Sequence, residues 1–159
     1  MTENDISFII PVFNRPNEIR ELLDSFSKLT SSKDFEIVIV EDGSTLDSKD
    51  VIEDFKGQLN ISYYKKKNTG PGDSRNHGMK LAKGSYFIIL DSDCILPEDY
   101  MKNVMDNLKN NYVDCFGGVD GSHESFSAYQ KAVSFSMTSF LTTGGIRGGK
   151  YKKKLFQPR

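Results

Sequence analysis

The chain has 159 residues, 37% of them apolar, and its 21 Lys and Arg against 22 Asp and Glu give a formal net charge of −1. This length predicts one domain, the balanced charge argues against a nucleic-acid-binding protein with a dominating basic field, and two Cys with two His are too few for a zinc site of the usual spacing. No apolar run approaches the ~20 residues of a membrane span and the N-terminus lacks the pattern of a signal peptide, which predicts a cytoplasmic protein with reduced cysteines.

Four apolar, β-branched runs alternate with helical patterns along most of the chain. They predict strands at Ile6–Val12, Phe35–Val40, Ile61–Tyr64 and Tyr86–Leu90. An amphipathic pattern follows each run, and these patterns predict helices that begin at Pro16, near Val51, at Asp73 and, after the entry residue Pro97, near Met101. Strand–helix units joined by short loops predict an α/β fold with a doubly wound, mostly parallel sheet.

Beyond these units the pattern weakens. A fifth strand is predicted near Tyr112–Phe116 and a further helix over about 124–141, after which the chain is rich in Gly and Lys. The helix carries an apolar stripe from Phe126 to Phe140, through which we expect self-association. Basic residues also cluster at Lys65–Lys67 and near the C-terminus, and they are interpreted either as solvated or as facing an anion or a membrane surface.

Polar residues follow all four predicted strands, where the carboxyl ends of a parallel sheet form a ligand-binding edge. The four segments are Pro11–Arg15, Glu41–Ser44, Gly70–Arg75 and Asp91–Asp93. In an extended or turning backbone Asp91 and Asp93 project to the same side, and such carboxylates suit Mg²⁺ or Mn²⁺ held jointly with substrate phosphates. A solvated turn is the alternative, but the position directly after an apolar strand favours a functional role.

Two further residues at these strand ends have two interpretations each. Asp42 can accept a hydrogen bond from the imino N–H of a base or cap the next helix, and the sequence leaves both open. Arg75 is interpreted as a guanidinium for phosphate or a base edge, with a surface ion pair as the alternative. Because Arg75 stands where a third glycine would follow Gly70 and Gly72, a nicotinamide cofactor is disfavoured.

Taken together, these segments resemble the family-2, GT-A-type glycosyltransferases. The matching stretches are ISFIIPVFNRP, FEIVIVEDGSTLDS, KNTGPGDSRNHGMKLAKGSYFIILDSDCILPEDYM and FGG at Phe116–Gly118, which together cover about residues 5–120. The resemblance implies a Rossmann-like GT-A fold and an enzyme that moves a sugar, with inversion, from a UDP- or GDP-linked donor to a hydroxyl of a glycan or lipid-linked acceptor. It also implies Mn²⁺ or Mg²⁺ as cofactor and a role in cell-surface polysaccharide synthesis. With the basic stretches, it predicts peripheral association with the inner face of the cell membrane.

The resemblance implies roles at every strand end. The base and ribose would be lined by Pro11, Val12, Phe13 and Asn14. Asp42 would bond the base, and Gly70 and Arg75 would flank the base and the diphosphate. Asp91 would contact the ribose or sugar, and Asp93 would bind the metal, which makes these two the catalytic candidates.

One feature departs from the pattern of that family. Its general base is an acidic residue well downstream of the Asp-x-Asp pair, whereas this sequence has no acidic residue after Asp114, Asp120 and Glu124. We therefore expect the nucleotide-sugar-binding part of a longer enzyme, truncated at its acceptor side, which folds and binds nucleotide without transferring sugar. The alternatives are a nucleotide-sugar-binding domain with no transfer activity of its own and a nucleotidyltransferase. The second is disfavoured because PVFNRP replaces a Gly-rich loop after the first strand.

Overall fold

The computed structural model describes residues 1–115, 117 and 127–139. The chain forms two compact units, Met1–Tyr112 and Val113–Arg159, and one domain over the whole chain stays a prediction. Outside the described residues lie the predicted motif and base positions Phe116, Gly118, Asp120 and Glu124.

The first unit is a parallel sheet flanked by helices. Its strands are β1 (Ile6–Val12), β2 (Glu36–Asp42), β3 (Ile61–Lys66) and β4 (Tyr86–Ile89). Its helices are α1 (Pro16–Ser27), α2 (Lys49–Glu53), α3 (Pro71–Leu81) and α4 (Tyr100–Asn110). The strand order is β3-β2-β1-β4, and all three pairings are parallel. The predicted α/β fold with a parallel, doubly wound sheet is confirmed.

Helices cover both faces of this sheet. Alternate residues of a strand point to opposite faces, and the apolar side chains on each face are buried against helices. On one face Phe8 packs edge-on against Phe26 of α1 and against Phe35, with ring centroids 4.8 and 5.1 Å apart. Buried side chains of α2 and α4 complete this core. On the other face Ile9 and Val38 pack with residues of α3. The loops after the four strands therefore lie at one edge of the sheet, between the two layers of helices.

The edge strand β4 is incompletely covered. Phe87 and Ile89 pair in register with Ser7 and Ile9 of β1 and so lie on the face that α3 covers. Their side chains are nevertheless 37% and 48% exposed. Apolar surface of the first unit is therefore open to solvent beside α3.

The second unit contains α5 (Ala128–Thr138). It confirms the helix predicted over about 124–141, as far as residues 127–139 describe that region. The Ser127 hydroxyl caps it by accepting a hydrogen bond from the Gln130 N–H at 3.3 Å. Tyr129 and Phe135 are largely exposed, and self-association through this helix stays a prediction. Among the described helices, none combines the length and the apolar character needed to cross a bilayer.

Several element boundaries differ from the sequence-based prediction by one or two residues: β2 begins at Glu36, β3 extends to Lys66 and β4 ends at Ile89. One predicted strand is wrong in its described part. β2 continues through Glu41 and Asp42, which were expected in a turn, because both carboxylates find partners inside the fold. α3 begins at Pro71 and not at Asp73, since proline fits the first turn of a helix. Residues 112–115 form no strand; they are exposed and follow α4 with no neighbouring strand to pair with among the described residues.

Gly78→Ala should destabilise the fold. A Cβ at this position of α3 would lie 2.8 Å from Ile9 Cγ2 and 3.2 Å from Val40 Cγ2, so the helix would have to move away from the sheet. We expect the free energy of unfolding to fall by about 1–3 kcal/mol, as for other overpacked cores. Urea unfolding followed by circular dichroism measures the change.

Gly72→Ala, in the same helix, is the matched control because nothing lies within 4 Å of its Cβ position. Alanine is the better helix former, so this variant should be as stable as the wild type or more stable by up to about 1 kcal/mol. An equal loss of stability in both variants would show that close packing against the sheet is not the reason for glycine at position 78.

Candidate functional site

Asp42, the last residue of β2, joins the sheet to the start of α3. Its carboxylate accepts hydrogen bonds from the backbone N–H groups of Thr69 at 3.0 Å and Gly70 at 2.9 Å, and it pairs with the Lys66 ammonium group. That ammonium also lies 3.2 Å from a carboxylate oxygen of Asp73. Asp42 is only 3% exposed. These bonds fix the loop before α3, whereas a cap of the next helix, α2, was the alternative that the sequence left open.

The pKa of Asp42 reflects this environment. Burial alone would raise the pKa, but the Lys66 ammonium group and the N–H groups of Thr69 and Gly70 outweigh it and hold the pKa below its ordinary value. Asp42 is therefore ionised at neutral pH, and its oxygens act as acceptors only.

Glu41, the preceding residue of β2, is completely buried and holds the loop between β2 and α2. Its carboxylate accepts hydrogen bonds from the Ser44 hydroxyl, from the Ser48 N–H at 2.9 Å and from the Tyr63 hydroxyl at 3.0 Å. Burial and the Glu41 carboxylate raise the pKa of the Tyr63 phenol. The loop that follows Asp42 is thus anchored from inside the fold.

Asn14, just after β1, connects the first two strand ends. Its φ of +54° is left-handed, a conformation that Asn tolerates better than most residues. Its Oδ1 accepts hydrogen bonds from the Thr45 N–H at 2.9 Å, the Thr45 hydroxyl at 3.1 Å and the Leu46 N–H at 2.9 Å. Its own N–H donates to the Ser44 hydroxyl oxygen at 2.8 Å. Asn14 therefore holds one loop against another, and its contact with a base or ribose stays a prediction.

Two arginines meet the turn at 91–93 from different elements. Arg75, on the first turns of α3, donates from Nη2 to Asp91 Oδ1 at 2.6 Å. Arg15, just before α1, donates from Nη1 to Asp93 Oδ2 at 2.9 Å. Both aspartates are exposed, whereas Ser92 between them is buried. The ion-pair alternative for Arg75 is thus realised, with Asp91 as its partner, at the ligand-binding edge of the sheet.

The other predicted site residues differ in exposure. Pro11 and Val12 are buried within β1, whereas Phe13, the first residue after that strand, is 48% exposed. Gly70 has a φ of +94°, which suits glycine, and it directly precedes α3. Their contacts with a nucleotide stay predictions.

The basic run at Lys65–Lys67 is partly used inside the first unit. Lys65 pairs with Asp47 at 2.5 Å, and Lys66 pairs with Asp42. These two ammonium groups are therefore engaged with carboxylates of the same unit, and an anion- or membrane-facing role of the run stays a prediction.

Metal binding at the edge would depend on Asp91 and Asp93. Within residues 1–115, 117 and 127–139, no three His, Cys, Asp or Glu side chains converge as a metal site. The donor set available is one or two exposed carboxylates, which suits a hard divalent cation only when phosphate oxygens or waters complete the coordination.

Three residues of this site have no role in the sequence-based prediction: Glu41, Lys66 and Arg15. Glu41 continues a buried strand, so its charge needs internal partners. Lys66 pairs with Asp42 in the parallel register of β3 and β2, which only the sheet topology reveals. Arg15 lies in a strand-end segment that the sequence does identify, but its partner is 78 residues away.

Comparison with known proteins identifies the family. The family model described as Glycosyl transferase family 2 matches residues 7–156. The chain is 34% identical over 100 residues to poly(ribitol-phosphate) beta-N-acetylglucosaminyltransferase TarS of Staphylococcus aureus, a match that covers 61% of this chain and 18% of that protein. It is 40% identical over 92 residues to poly(ribitol-phosphate) beta-glucosyltransferase of Bacillus spizizenii, covering 55% and 14%. The match to each thus takes in less than a fifth of that relative's length.

Solved structures of Staphylococcus aureus TarS 1–349 are similar to this chain. The complex with UDP-GlcNAc aligns with a TM-score of 0.66 and 29% identity, over 79% of this chain and 38% of that one. The complex with UDP also aligns with a TM-score of 0.66, at 28% identity. The predicted GT-A-type fold is thereby confirmed.

Asp42→Asn should destabilise the fold at neutral pH by about 1–3 kcal/mol, because Lys66 loses the nearer of its two carboxylate partners and an acceptor facing Thr69 or Gly70 becomes a donor. The pKa of Asp42 in the folded chain lies below its ordinary value, so the ionised carboxylate stabilises the fold above about pH 4. This contribution is lost as the pH falls through the folded-state pKa. The difference in free energy of unfolding between wild type and variant should therefore shrink between about pH 7 and about pH 3, as measured by urea unfolding.

Asp24→Asn, on the exposed side of α1 and away from its first turn, is the control and should leave the free energy of unfolding unchanged at both pH values. If the difference in free energy of unfolding between wild type and Asp42→Asn stays constant with pH, Asp42 does not stabilise the fold through its ionised carboxylate.

Asn14→Ala should destabilise the fold more than Asn14→Gly, by about 1 kcal/mol. Both variants lose the three hydrogen bonds to Thr45 and Leu46, but only alanine strains the left-handed backbone. Asn14→Asp keeps the acceptor and should stay closest to the wild type. Thermal unfolding of the three variants tests this order, and equal melting temperatures for the Gly and Ala variants would show that the backbone conformation at residue 14 is not constrained.

Proposed function

The chain belongs to glycosyl transferase family 2, and we propose that it transfers a sugar from a UDP-linked donor to an acceptor hydroxyl with inversion. The observation that carries this proposal is the gathering of Asp42, Arg75, Asp91 and Asp93 at the loops that follow the strands of a parallel sheet. UDP is favoured over GDP because the TarS structures that this chain resembles hold UDP and UDP-GlcNAc.

The base would be recognised at the ends of β1 and β2. Asp42 is ionised and held in one orientation by the N–H groups of Thr69 and Gly70, so it can accept the imino N–H of uracil. Phe13 offers an exposed aromatic ring after β1, to which a base can pack. A rigid acceptor discriminates well among bases because it cannot rotate to suit the wrong one.

The diphosphate would lie between Arg75 and the turn at 91–93. Asp93 and Asp91 fit a divalent cation, since both are exposed carboxylates and each already attracts a cationic group. When bound, Mn²⁺ or Mg²⁺ would neutralise negative charge on the departing diphosphate. Asp93 would hold that ion, Asp91 would contact the ribose or sugar, and Arg75 would bind a phosphate oxygen.

Transfer itself is a single displacement. The acceptor oxygen attacks the anomeric carbon from the face opposite the diphosphate, the bond from that carbon to the phosphate oxygen breaks, and the acceptor proton goes to a general base. The two relatives named above act on poly(ribitol phosphate), so we propose a hydroxyl-rich cell-surface polymer as the acceptor.

The cytoplasmic location and the membrane association stay predictions from the sequence.

UDP should bind more tightly with Mn²⁺ than in excess EDTA, by about tenfold or more, because Asp93 and the diphosphate would share the ion. Asp93→Asn should remove most of this gain. Isothermal titration calorimetry with UDP, GDP and NAD, each with Mn²⁺ and with EDTA, measures both effects.

Asp54→Asn is the matched control, because Asp54 is as exposed as Asp93 (58%) and also pairs with an arginine, Arg20. It should leave UDP binding unchanged. UDP affinity that is equal with Mn²⁺ and with EDTA would rule out the metal role of Asp93, and tighter binding of GDP or NAD would rule out UDP as the donor nucleotide.

Transfer is tested separately by the release of UDP from UDP-GlcNAc and UDP-glucose, with and without poly(ribitol phosphate). Release that depends on the polymer is the expected result for an active transferase. Tight UDP binding without release would support the nucleotide-sugar-binding domain that has no transfer activity of its own.

A further inference from the structure

Arg15 occupies the carboxylate that the proposed function assigns to the metal. Its Nη1 lies 2.9 Å from Asp93 Oδ2, and the two side chains are 48% and 58% exposed. Because the Arg15 guanidinium contacts Asp93, it lies next to the position of any metal ion that Asp93 binds. It therefore also lies next to the phosphates that such an ion would hold. No role is assigned to this arginine by the sequence pattern.

The backbone of Arg15 is fixed although its side chain is exposed. Asn14 before it is anchored to the loop at 44–46, and Pro16 after it begins α1. The Arg15 carbonyl oxygen accepts the first hydrogen bond of that helix, from the Ile19 N–H at 3.1 Å. Only the side chain is therefore free to change partners, and it projects from a rigid point at the ligand-binding edge.

The ion pair between Arg15 and Asp93 is weak enough for either side chain to change its partner. Exposed ion pairs shift an equilibrium by no more than a factor of about five, because water solvates both groups and the long side chains lose entropy when they pair. By contrast, the pair between Lys66 and Asp42 is shielded, at 12% and 5% exposure, and has backbone N–H partners as well. Ligand binding can therefore separate Arg15 from Asp93 at little cost, whereas Asp42 keeps its partners.

We propose that Arg15 is an exchangeable cation of this site. In the nucleotide-free chain it neutralises Asp93, and when a nucleoside diphosphate and a divalent cation bind, Asp93 turns to the metal and Arg15 moves to the diphosphate. A guanidinium suits this second partner because its planar array of N–H donors matches phosphate oxygens. The inference rests on the proposed function, and it adds a phosphate-binding residue to it.

If the exchange takes place, replacing Arg15 should change two affinities in opposite directions: the affinity for Mn²⁺ should rise and the affinity for UDP should fall. Without the arginine, Asp93 has no competing cation, so Mn²⁺ alone should bind about two- to fivefold more tightly. The diphosphate loses a charge-assisted contact, so UDP with saturating Mn²⁺ should bind about tenfold more weakly. Uridine, which has no phosphate, should bind as it does to the wild type.

The test compares Arg15→Gln and Arg15→Lys with the wild type. Binding of Mn²⁺ is followed by electron paramagnetic resonance, and binding of UDP and uridine by calorimetry. Arg15→Lys keeps the charge but loses the planar array, so its UDP affinity should fall between those of wild type and Arg15→Gln. Arg20→Gln is the matched control, because Arg20 of α1 is 47% exposed and pairs at 2.7 Å with Asp54, which directly follows α2 and is 58% exposed. This variant should change none of the three affinities.

The outcomes separate the inference from the function on which it rests. If Arg15→Gln weakens Mn²⁺, UDP and uridine alike, the arginine is only structural and the exchange is wrong. If it leaves Mn²⁺ and UDP unchanged while the wild type shows Mn²⁺-dependent UDP binding, the ion pair is an incidental surface contact, and the proposed function stands without it. If the wild type binds no UDP, both are wrong.

Discussion

The position of α3 on the sheet is fixed by carboxylates at the two ends of β2, and the site depends on it. Glu36, the first residue of β2, accepts a hydrogen bond from the Lys83 N–H beyond the end of α3, at 2.8 Å. Asp42, the last residue, accepts one from the Gly70 N–H before its start, at 2.9 Å. Six strand steps of about 3.3 Å and thirteen helical steps of about 1.5 Å both span roughly 20 Å, so the helix fits between the two carboxylates. Between these two ends, Gly78 lets the helix backbone approach β1 and β2 closely. The direction in which α3 presents Arg75 follows from these three points.

The carboxylates of Glu36 and Asp42 have different surroundings, because the strands of a parallel sheet all run in one direction and its two ends therefore differ. Glu36 lies at the amino ends of the strands, where the Ser7 and Ser62 hydroxyls complete its hydrogen bonding at 2.8 and 3.0 Å. Asp42 lies at the carboxyl ends, where the strands open into loops and ligands bind. The same device, a buried carboxylate that accepts backbone N–H groups, thus closes the sheet at one end and shapes a candidate ligand site at the other.

Sequence reasoning succeeded where local chemistry decides the structure. The apolar run at Ile6–Val12 predicts β1 with its observed bounds, because a strand buried on both faces is mostly apolar; Ser7 is the one polar side chain in this run. It placed the end of β2 two residues too early, because Glu41 and Asp42 are polar and their partners, Tyr63 and the start of α3, are distant along the chain. The strand-end rule identified segments that contact one another at this edge of the sheet. It could not assign Arg15 to Asp93, since a surface ion pair across 78 residues has no local signature.

The rigid and exposed parts of this edge suit the two demands on a transferase that binds and releases a nucleotide in every cycle. Base recognition benefits from groups that are already fixed before binding, because their conformational entropy is lost on folding and not on association. If Asp42 binds the base as proposed, it meets that demand through bonds that belong to the fold. On the proposed function, diphosphate release benefits from charged groups with an alternative partner, because an unpaired guanidinium attracts the anionic diphosphate and an unpaired carboxylate attracts the cation bound to it. Asp91 and Asp93 have such partners in Arg75 and Arg15, so under the proposed function the edge would neutralise its own charges as the diphosphate leaves.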